Sequence, residues 1–227
     1  MRRHPAQAIL CVVAGLALGC SSNGSDGTPP AKASGEGSAV APTTETETTP
    51  ESMDGAEGFE ERYEQEKGLF FRARDREEGA LPKAKSALEA LLQERPEDPR
   101  VIAYVGSLRL LESREATLPW TKGSLAKEGI ALLDRAVKAN PDDLELRHVR
   151  GVSTLPLPGF FGVSERAADD IRFVAERAKD AVAAGTLAPD VGAAALYEHG
   201  VLLEKDGNVE AARERWEAAI ELAPGSE

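Results

Sequence analysis

The chain has 227 residues, of which 41% are apolar, and a formal net charge of −12 at pH 7. Acidic residues outnumber basic ones by 39 to 27, and the basic residues form no cluster. Both observations argue against nucleic acid and anionic membrane surfaces as partners. Both cysteines, Cys11 and Cys20, lie within or directly after an N-terminal apolar run, so the remaining sequence has no disulfide and no thiol ligand.

The first 19 residues are typical of an export signal. Two arginines supply its positive charge, and the apolar run of residues 8–19 is too short to span a bilayer. The junction Gly19-Cys20-Ser21 resembles a bacterial lipobox, whose cysteine is diacylated and becomes the mature N-terminus. The resemblance implies that Cys20 is lipidated and anchors the protein in the cell envelope, with Ser21 favouring the periplasmic side of the outer membrane. An ordinary secretory signal with an incidental cysteine is the alternative.

Residues 20–56 carry the anchoring cysteine and then a segment predicted to be a disordered tether. The segment consists mainly of Ser, Gly, Thr, Pro, Ala and Glu, and it lacks apolar side chains that could offset the entropy of ordering. As a flexible coil it would reach roughly 30–35 Å root-mean-square. Its predicted role is to hold a folded domain, residues 57–227, away from the membrane.

From Phe59 onward, apolar residues recur at helical spacing and predict an all-α domain of eight helices in four pairs. Acidic residues after Pro96 and Pro141 suit helix starts, and Ser164 is expected to cap the sixth helix. The expected helices, in chain order, are 59–74, 81–94, 98–112, 128–139, 144–153, 164–185, 191–205 and 208–222.

Two stretches break the regular pattern. Residues 117–127 are predicted to be an insertion that contains Trp120, and residues 155–162 form an apolar loop with Phe160 and Phe161. Apolar side chains in long insertions usually fill the gap that the insertion opens, so we expect these aromatic rings to belong to the core and Phe160 or Phe161 to be largely buried. An exposed aromatic patch that binds a partner is the alternative.

The end of the chain, from Ala193 to Ser226, resembles the tetratricopeptide repeat, which consists of two antiparallel helices. Gly200 is expected to let the two helices approach closely, with Ala212 as the small residue facing it. Since one repeat cannot bury its own apolar face, the resemblance implies an irregular tetratricopeptide-like α-solenoid of about four helix pairs. The matching residues are Leu196, His199, Gly200, Leu203, Ala212, Trp216, Ala219 and Pro224.

Residues 101–174 also resemble an uncharacterised bacterial family of tetratricopeptide proteins. The resemblance implies that both irregular stretches belong to the fold, and it brings no activity, substrate or catalytic residue. The matching residues are Ala103-Tyr104-x-Gly106, Trp120 with Lys122, Gly129-Ile130-x-Leu132-Leu133-Asp134-x-Ala136-Val137, Pro141-Asp142-x-x-x-Glu145-x-Arg147, Pro158-x-Phe160-Phe161-Gly162 and Asp169-Asp170.

The sequence shows no residue pattern typical of a catalytic, metal or cofactor site, so we expect a monomeric binding protein that is not an enzyme and has no cofactor. His199, beside Gly200, is expected to be a packing residue. The acidic pairs 142–143 and 169–170 are expected to be charges at helix N-termini and not a metal site.

Two functions fit these observations. The first is a membrane-tethered scaffold of the envelope that binds an unknown protein in a groove of first helices, lined by Arg100, His148 and Tyr197. The second is a small-ligand-binding lipoprotein with a pocket near Arg147 and Phe160-Phe161. Arg147 either pairs with nearby acids or captures an anion, since a guanidinium binds carboxylates well. A loose resemblance to tetratricopeptide lipoproteins that serve secretins suggests a pilotin-like role as a third possibility.

Overall fold

The computed structural model describes residues 51–224. The predicted signal, Cys20 and most of the predicted tether lie outside this range. Residues 59–224 belong to one compact unit, and residues 51–58, the start of the first helix, fall outside that unit. Among the described residues, no helix combines the length and the apolar character that crossing a bilayer requires.

The described part of the chain is all-α, with eight α-helices, one short 3₁₀ helix and no strand, which confirms the predicted class and the predicted number of helices. The helices are α1 (Glu51–Arg74), α2 (Ala80–Glu94), α3 (Pro99–Glu115), α4 (Pro119–Ala139), α5 (Leu144–Thr154), α6 (Ser164–Ala183), α7 (Pro189–Lys205) and α8 (Val209–Leu222), and the 3₁₀ helix is Gly159–Phe161.

Consecutive helices form antiparallel hairpins. In the second hairpin, Gly106 of α3 faces Gly129 of α4, while closer to the turn the Ser113 hydroxyl donates to the Lys122 carbonyl oxygen at 2.9 Å. In the fourth hairpin, Gly200 lies against Trp216. The atoms nearest to Gly200 are therefore those of a large ring, whereas the sequence led us to expect Ala212 in that place.

The first helices of the hairpins run in the same direction. Arg100, at the start of α3, forms an ion pair with Glu60 of α1, and Tyr104 donates a hydrogen bond to Glu145 at the start of α5. Farther along the same two helices, the hydroxyls of Ser107 and Ser153 are 2.8 Å apart. Because every second helix runs back, the α3–α4, α5–α6 and α7–α8 turns all lie at the end where the first helices finish.

Two clusters of buried apolar side chains form the core. One is shared by α1 to α5 and includes Phe59, Leu88 and Leu133. The other is formed by α6 to α8 and includes Val174 and Leu196. Burial of apolar surface is the main favourable contribution to folding, so each cluster stabilises its own group of helices.

Helix starts agree with the sequence where an acid follows a proline. The Asp98 carboxylate accepts a hydrogen bond from the Arg100 amide, and the Asp143 carboxylate accepts one from the Leu146 amide at 3.0 Å. Ser164 differs from the prediction, because it is the first residue of α6 and Val163 occupies the N-cap position.

The two irregular stretches are both more exposed than predicted. Residues 119–127 are the first turns of α4 and not an irregular insertion, since Pro119 is the first helical residue, where a missing amide costs nothing. Trp120 is 69% exposed and Phe160 is 75% exposed, so the expectation that they belong to the core is wrong. Phe161 is half-buried and packs against the first core cluster.

Candidate functional site

We use the term first-helix face for the surface formed by α1, α3, α5 and α7. On it, four side chains from three helices form a compact group, which we call the Tyr–Lys cluster: Tyr63 and Lys67 of α1, Tyr104 of α3 and Glu145 of α5. The Tyr63 and Tyr104 rings meet edge to face with their centroids 6.1 Å apart. The Lys67 ammonium lies 5.4 Å from the Tyr63 centroid and 6.0 Å from the Tyr104 centroid.

Glu145 contacts two other members of the cluster, Tyr104 and Lys67. One of its carboxylate oxygens accepts a hydrogen bond from the Tyr104 hydroxyl at 3.0 Å and lies 3.5 Å from the Lys67 ammonium. The tyrosines are buried, whereas Lys67 and Glu145 are only half-buried. The cluster therefore presents one positive and one negative charge to solvent above two buried rings.

The hydroxyl of Tyr63 is buried and has no hydrogen-bond partner among the described residues. Burial and the nearby Glu145 carboxylate raise the pKa of Tyr63, so this group stays protonated and remains a potential donor. Burial and Glu145 raise the pKa of Tyr104 in the same way. A buried hydroxyl without a partner costs about 1–3 kcal/mol, which makes Tyr63 an unusual feature of this surface.

Arg100, one of the predicted site residues, extends the cluster toward the start of α3. Its guanidinium binds both carboxylate oxygens of Glu60, at 2.8 and 2.9 Å, and also pairs with Asp98 at 3.0 Å. It lies 4.8 Å from the Tyr63 ring centroid. Hydrogen bonds to Glu60 and Asp98 raise the pKa of Arg100, and the same guanidinium lowers the pKa of Glu60.

A cavity of about 370 Å³ adjoins the cluster between the starts of α5 and α7. The residues that line it include the acidic Asp142, Asp143 and Glu145 and the apolar Leu187 and Val191. Asp143 already caps α5. Asp142 is exposed, and Glu145 belongs both to this lining and to the Tyr–Lys cluster. We call the three acidic residues of the lining the negative rim of the cavity.

Arg147, the second predicted site residue, points toward α6. Its guanidinium forms an ion pair with Asp170 at 3.0 Å and lies 4.0 Å from the Phe173 ring centroid. Arg150 binds the same carboxylate at 2.6 Å and also pairs with Asp134 of α4 at 3.2 Å. Of the two possibilities left open for Arg147, its guanidinium pairs with an acid. Asp170 is not a helix-terminal charge as expected, since its side chain is buried between two guanidinium groups.

His148 and Tyr197, the remaining predicted site residues, are both half-buried. Burial lowers the pKa of His148 to about 4, so its imidazole is neutral at pH 7, and its Nδ1 has no hydrogen-bond partner within residues 51–224. The Tyr197 carbonyl oxygen accepts a hydrogen bond from the Trp216 indole at 3.2 Å. The four predicted residues lie on three different helices, and each has its own set of neighbours. His199 is buried, as expected of a packing residue.

Sequence reasoning assigned no role to Tyr63, Lys67 or Glu145. A signal was present for the first two, because a Tyr and a Lys four residues apart share one helix face. Glu145 pairs with side chains far away along the chain, and single-sequence periodicity carries no information on such contacts.

No protein-family model and no curated protein matches the chain.

Proposed function

We propose that this protein is a lipid-anchored, tetratricopeptide-like scaffold of the bacterial envelope that binds a segment of another protein on its first-helix face. The arrangement of antiparallel hairpins with parallel first helices supports the tetratricopeptide-like solenoid. The lipobox-like junction at Cys20 supports an anchor, with the folded part on the periplasmic side of the outer membrane. No catalytic role is proposed.

The observation that carries this proposal is the pairing of the Tyr–Lys cluster with the cavity beside it. Interfaces between proteins typically have aromatic groups at their centre and charged groups at their rim. Here the half-buried Lys67 and Glu145 carry opposite charges above two buried tyrosine rings, which suits a partner segment with complementary charges. The negative rim of the cavity suits a lysine or arginine side chain of the bound segment.

The alternative, a small-ligand pocket near Arg147 and Phe160-Phe161, has less support. The Arg147 guanidinium is engaged by Asp170, by the Pro141 carbonyl oxygen and by the Phe173 ring. Phe160 is exposed and thus does not close a pocket. No observation in residues 51–224 favours a pilotin-like role.

Site-specific photocrosslinking in envelopes tests the proposal. A photoreactive amino acid in place of Glu64, which is exposed beside Lys67 on α1, is expected to crosslink a discrete partner. The control position is Arg213, which is exposed on the second helix α8. Equal yields at the two positions, or no product from Glu64, would show that the first-helix face is not the binding surface.

Charge reversal tests the negative rim. Asp142→Lys beside the cavity is expected to lower the crosslinking yield severalfold, because it opposes a basic segment. Glu210→Lys on α8, where the carboxylate is also exposed, should leave the yield unchanged. Equal effects of the two reversals would argue for a general influence of net charge and against this rim.

A further inference from the structure

Five large apolar side chains are exposed in the described part of the chain, and four of them lie at hairpin turns. Leu118 and Trp120 are at the α3–α4 turn, Phe160 is at the α5–α6 turn, and Val209 begins α8 after the α7–α8 turn. These turns share one end of the compact unit, as described above. We call these four residues the turn-end group. Ile220, the fifth, lies near the end of α8, at the opposite end of the unit.

The α5–α6 turn holds Phe160 outward in an ordered segment. The 3₁₀ helix Gly159–Phe161 follows Pro158 and ends at Gly162, whose φ of 68° is readily adopted by glycine. Below it, Leu157 and Phe161 pack against the first core cluster. The Phe160 ring contacts the Phe161 ring at a tilt of 35°, with centroids 4.6 Å apart, and is 75% exposed.

The α3–α4 turn is fixed in a similar way. The Lys122 ammonium donates to the Arg114 carbonyl oxygen at 3.3 Å, and the Arg114 and Glu115 side chains form an ion pair with each other. The Arg114–Glu115 pair is neutral, so Lys122 leaves one positive charge beside Trp120. Exposed aromatic and aliphatic side chains next to a lysine are suited to the interface of a bilayer, where tryptophan is enriched.

We propose that the turn-end group inserts into the surface of the membrane that carries the anchor. This inference rests on the lipid anchor of the proposed function. The apolar side chains lie on separate turns, and a fluid lipid surface can accept them singly, whereas a protein partner needs one contiguous patch. An anchor at Cys20 also keeps the domain near the bilayer, so that side chains which would bind lipid weakly from solution bind at a high effective concentration.

The length of the chain before the folded unit permits this orientation. Phe59 begins the part of α1 that belongs to the unit, at the end opposite the turns, and the whole of α1 spans roughly 36 Å. Residues 21–50 lie between Cys20 and α1, and a chain of that length can span at most roughly 100 Å. The anchor and the turn-end group can therefore engage the same bilayer.

The test uses tryptophan fluorescence of the mature, lipidated protein in vesicles of zwitterionic lipid that contain brominated acyl chains. The chain has two tryptophans, so Trp216→Phe leaves Trp120 as the reporter at the turn end. In the matched control, Trp120→Phe, Trp216→Phe and Ile220→Trp together move the reporter to the opposite end. The side chains of Trp120 and Ile220 are both 69% exposed, so the two reporters differ in location and not in accessibility to solvent.

We expect brominated lipid to quench Trp120 at least about twofold more than the reporter at position 220, because bromine quenches only rings that enter the bilayer. Phe160→Ser and Leu118→Ser should each reduce the quenching of Trp120. Circular dichroism verifies that every variant keeps its helix content, and only variants that keep it are compared.

The outcomes separate this inference from the proposed anchor. If the protein floats with the vesicles and Trp120 is quenched no more than position 220, the anchor is present and the turn-end inference is wrong. The turns would then be free for a protein partner or for a second copy of the chain. If the protein does not float and Trp120 is not quenched, the anchor and the inference both fail.

Discussion

Asp170 is the charged side chain on which the packing of α5 against α6 depends most directly. It is 1% exposed, and its two carboxylate oxygens accept hydrogen bonds from Arg147 and Arg150. Removing one partner from a buried ion pair leaves the other charge uncompensated, which is far more costly than removing an exposed one. The ion pairs of Asp170 with the two arginines therefore fix how α5 and α6 of the third hairpin pack together.

We expect Asp170→Asn to lower the free energy of unfolding by about 3–5 kcal/mol, because two guanidinium groups lose their buried counter-charge. Asp169→Asn is the matched control, since the Asp169 side chain is 60% exposed and pairs with Arg172 at the surface. Its effect should stay within about 0.5 kcal/mol. Urea denaturation measures both, and equal losses would contradict a structural role for Asp170.

His148 makes stability depend on pH. Burial lowers its pKa from 6.5 to about 4 in the folded state, so between these values the unfolded chain binds more protons than the folded one. The contribution of neutral His148 to stability is therefore complete above pH 6.5 and is lost as the pH falls toward 4.

We expect His148→Gln to reduce the loss of unfolding free energy between about pH 7 and pH 4.5 by roughly 1–2 kcal/mol. The readout is the difference between the two pH values, because the substitution itself changes stability at both. The contributions of all other ionisable groups are common to both proteins and cancel when the two are compared. An unchanged pH dependence would mean that His148 titrates normally in the folded protein.

At the scale of helices, the close approach of α3 and α4 depends on Gly129. A Cβ atom there would lie 2.6 Å from the Gly106 carbonyl oxygen and 2.9 Å from Leu110 side-chain carbons. The backbone oxygen cannot move away without shifting α3. The two glycines thus set the distance between these helices.

We expect Gly129→Ala to lower the free energy of unfolding by about 1–3 kcal/mol through overpacking. Gly123→Ala in the same helix is the control, because a Cβ there has no neighbour within 4 Å. There the better helix propensity of alanine should raise stability by roughly 0.5–1 kcal/mol. Thermal unfolding shows whether each variant has a lower or a higher melting temperature than the unchanged protein. A change in the same direction for both variants would contradict this role of Gly129.

The α5–α6 connection offers a second comparison, between adjacent phenylalanines. Phe161→Ala should cost about 1–2 kcal/mol, a fraction of the cost for a fully buried ring, because Phe161 is half-buried against the first core cluster. Phe160→Ala should cost less than about 0.5 kcal/mol, since that ring is exposed. A larger loss for Phe160 in chemical denaturation would support the core position that the sequence led us to expect.

Helical periodicity predicted the class and the number of helices, because apolar residues three and four positions apart must share a buried stripe. It was wrong for the start of α4, where residues 117–127 were predicted to be an insertion. Proline is compatible with the first turn of a helix, so Pro119 begins α4 without breaking it. Helix α1 likewise begins at Glu51, within the segment predicted as tether.

The candidate site was less predictable than the helices. Arg100 was expected on the first-helix face and lies beside Tyr63. The contacts of Glu145 with Lys67 and Tyr104 join helices that are far apart in sequence, and only the packing of hairpins brings them together. Asp170 was similarly beyond sequence reasoning, because its pairing depends on two arginines of a different helix.

At the scale of the whole molecule, the predicted anchor determines where the first-helix face can meet a partner. Cys20→Ala removes the residue that we propose to be acylated, so we expect the variant to leave the membrane fraction and appear with the soluble proteins. Cys11→Ala, within the predicted signal, is the control and should remain with the membrane. Cell fractionation with immunodetection measures this, and a Cys20→Ala variant that stays in the membrane pellet would show that another feature holds the protein there.

The division of the apolar core has a consequence for how the protein loses its structure. Side chains of α1 to α5 share one cluster and those of α6 to α8 share another, while the Asp170 ion pairs link α5 to α6. Cooperative unfolding follows contiguous burial, so each group of helices is expected to open as its own unit. A protease would then cut first within the weaker group, and the lifetime of the whole chain would be set by that group and not by average stability.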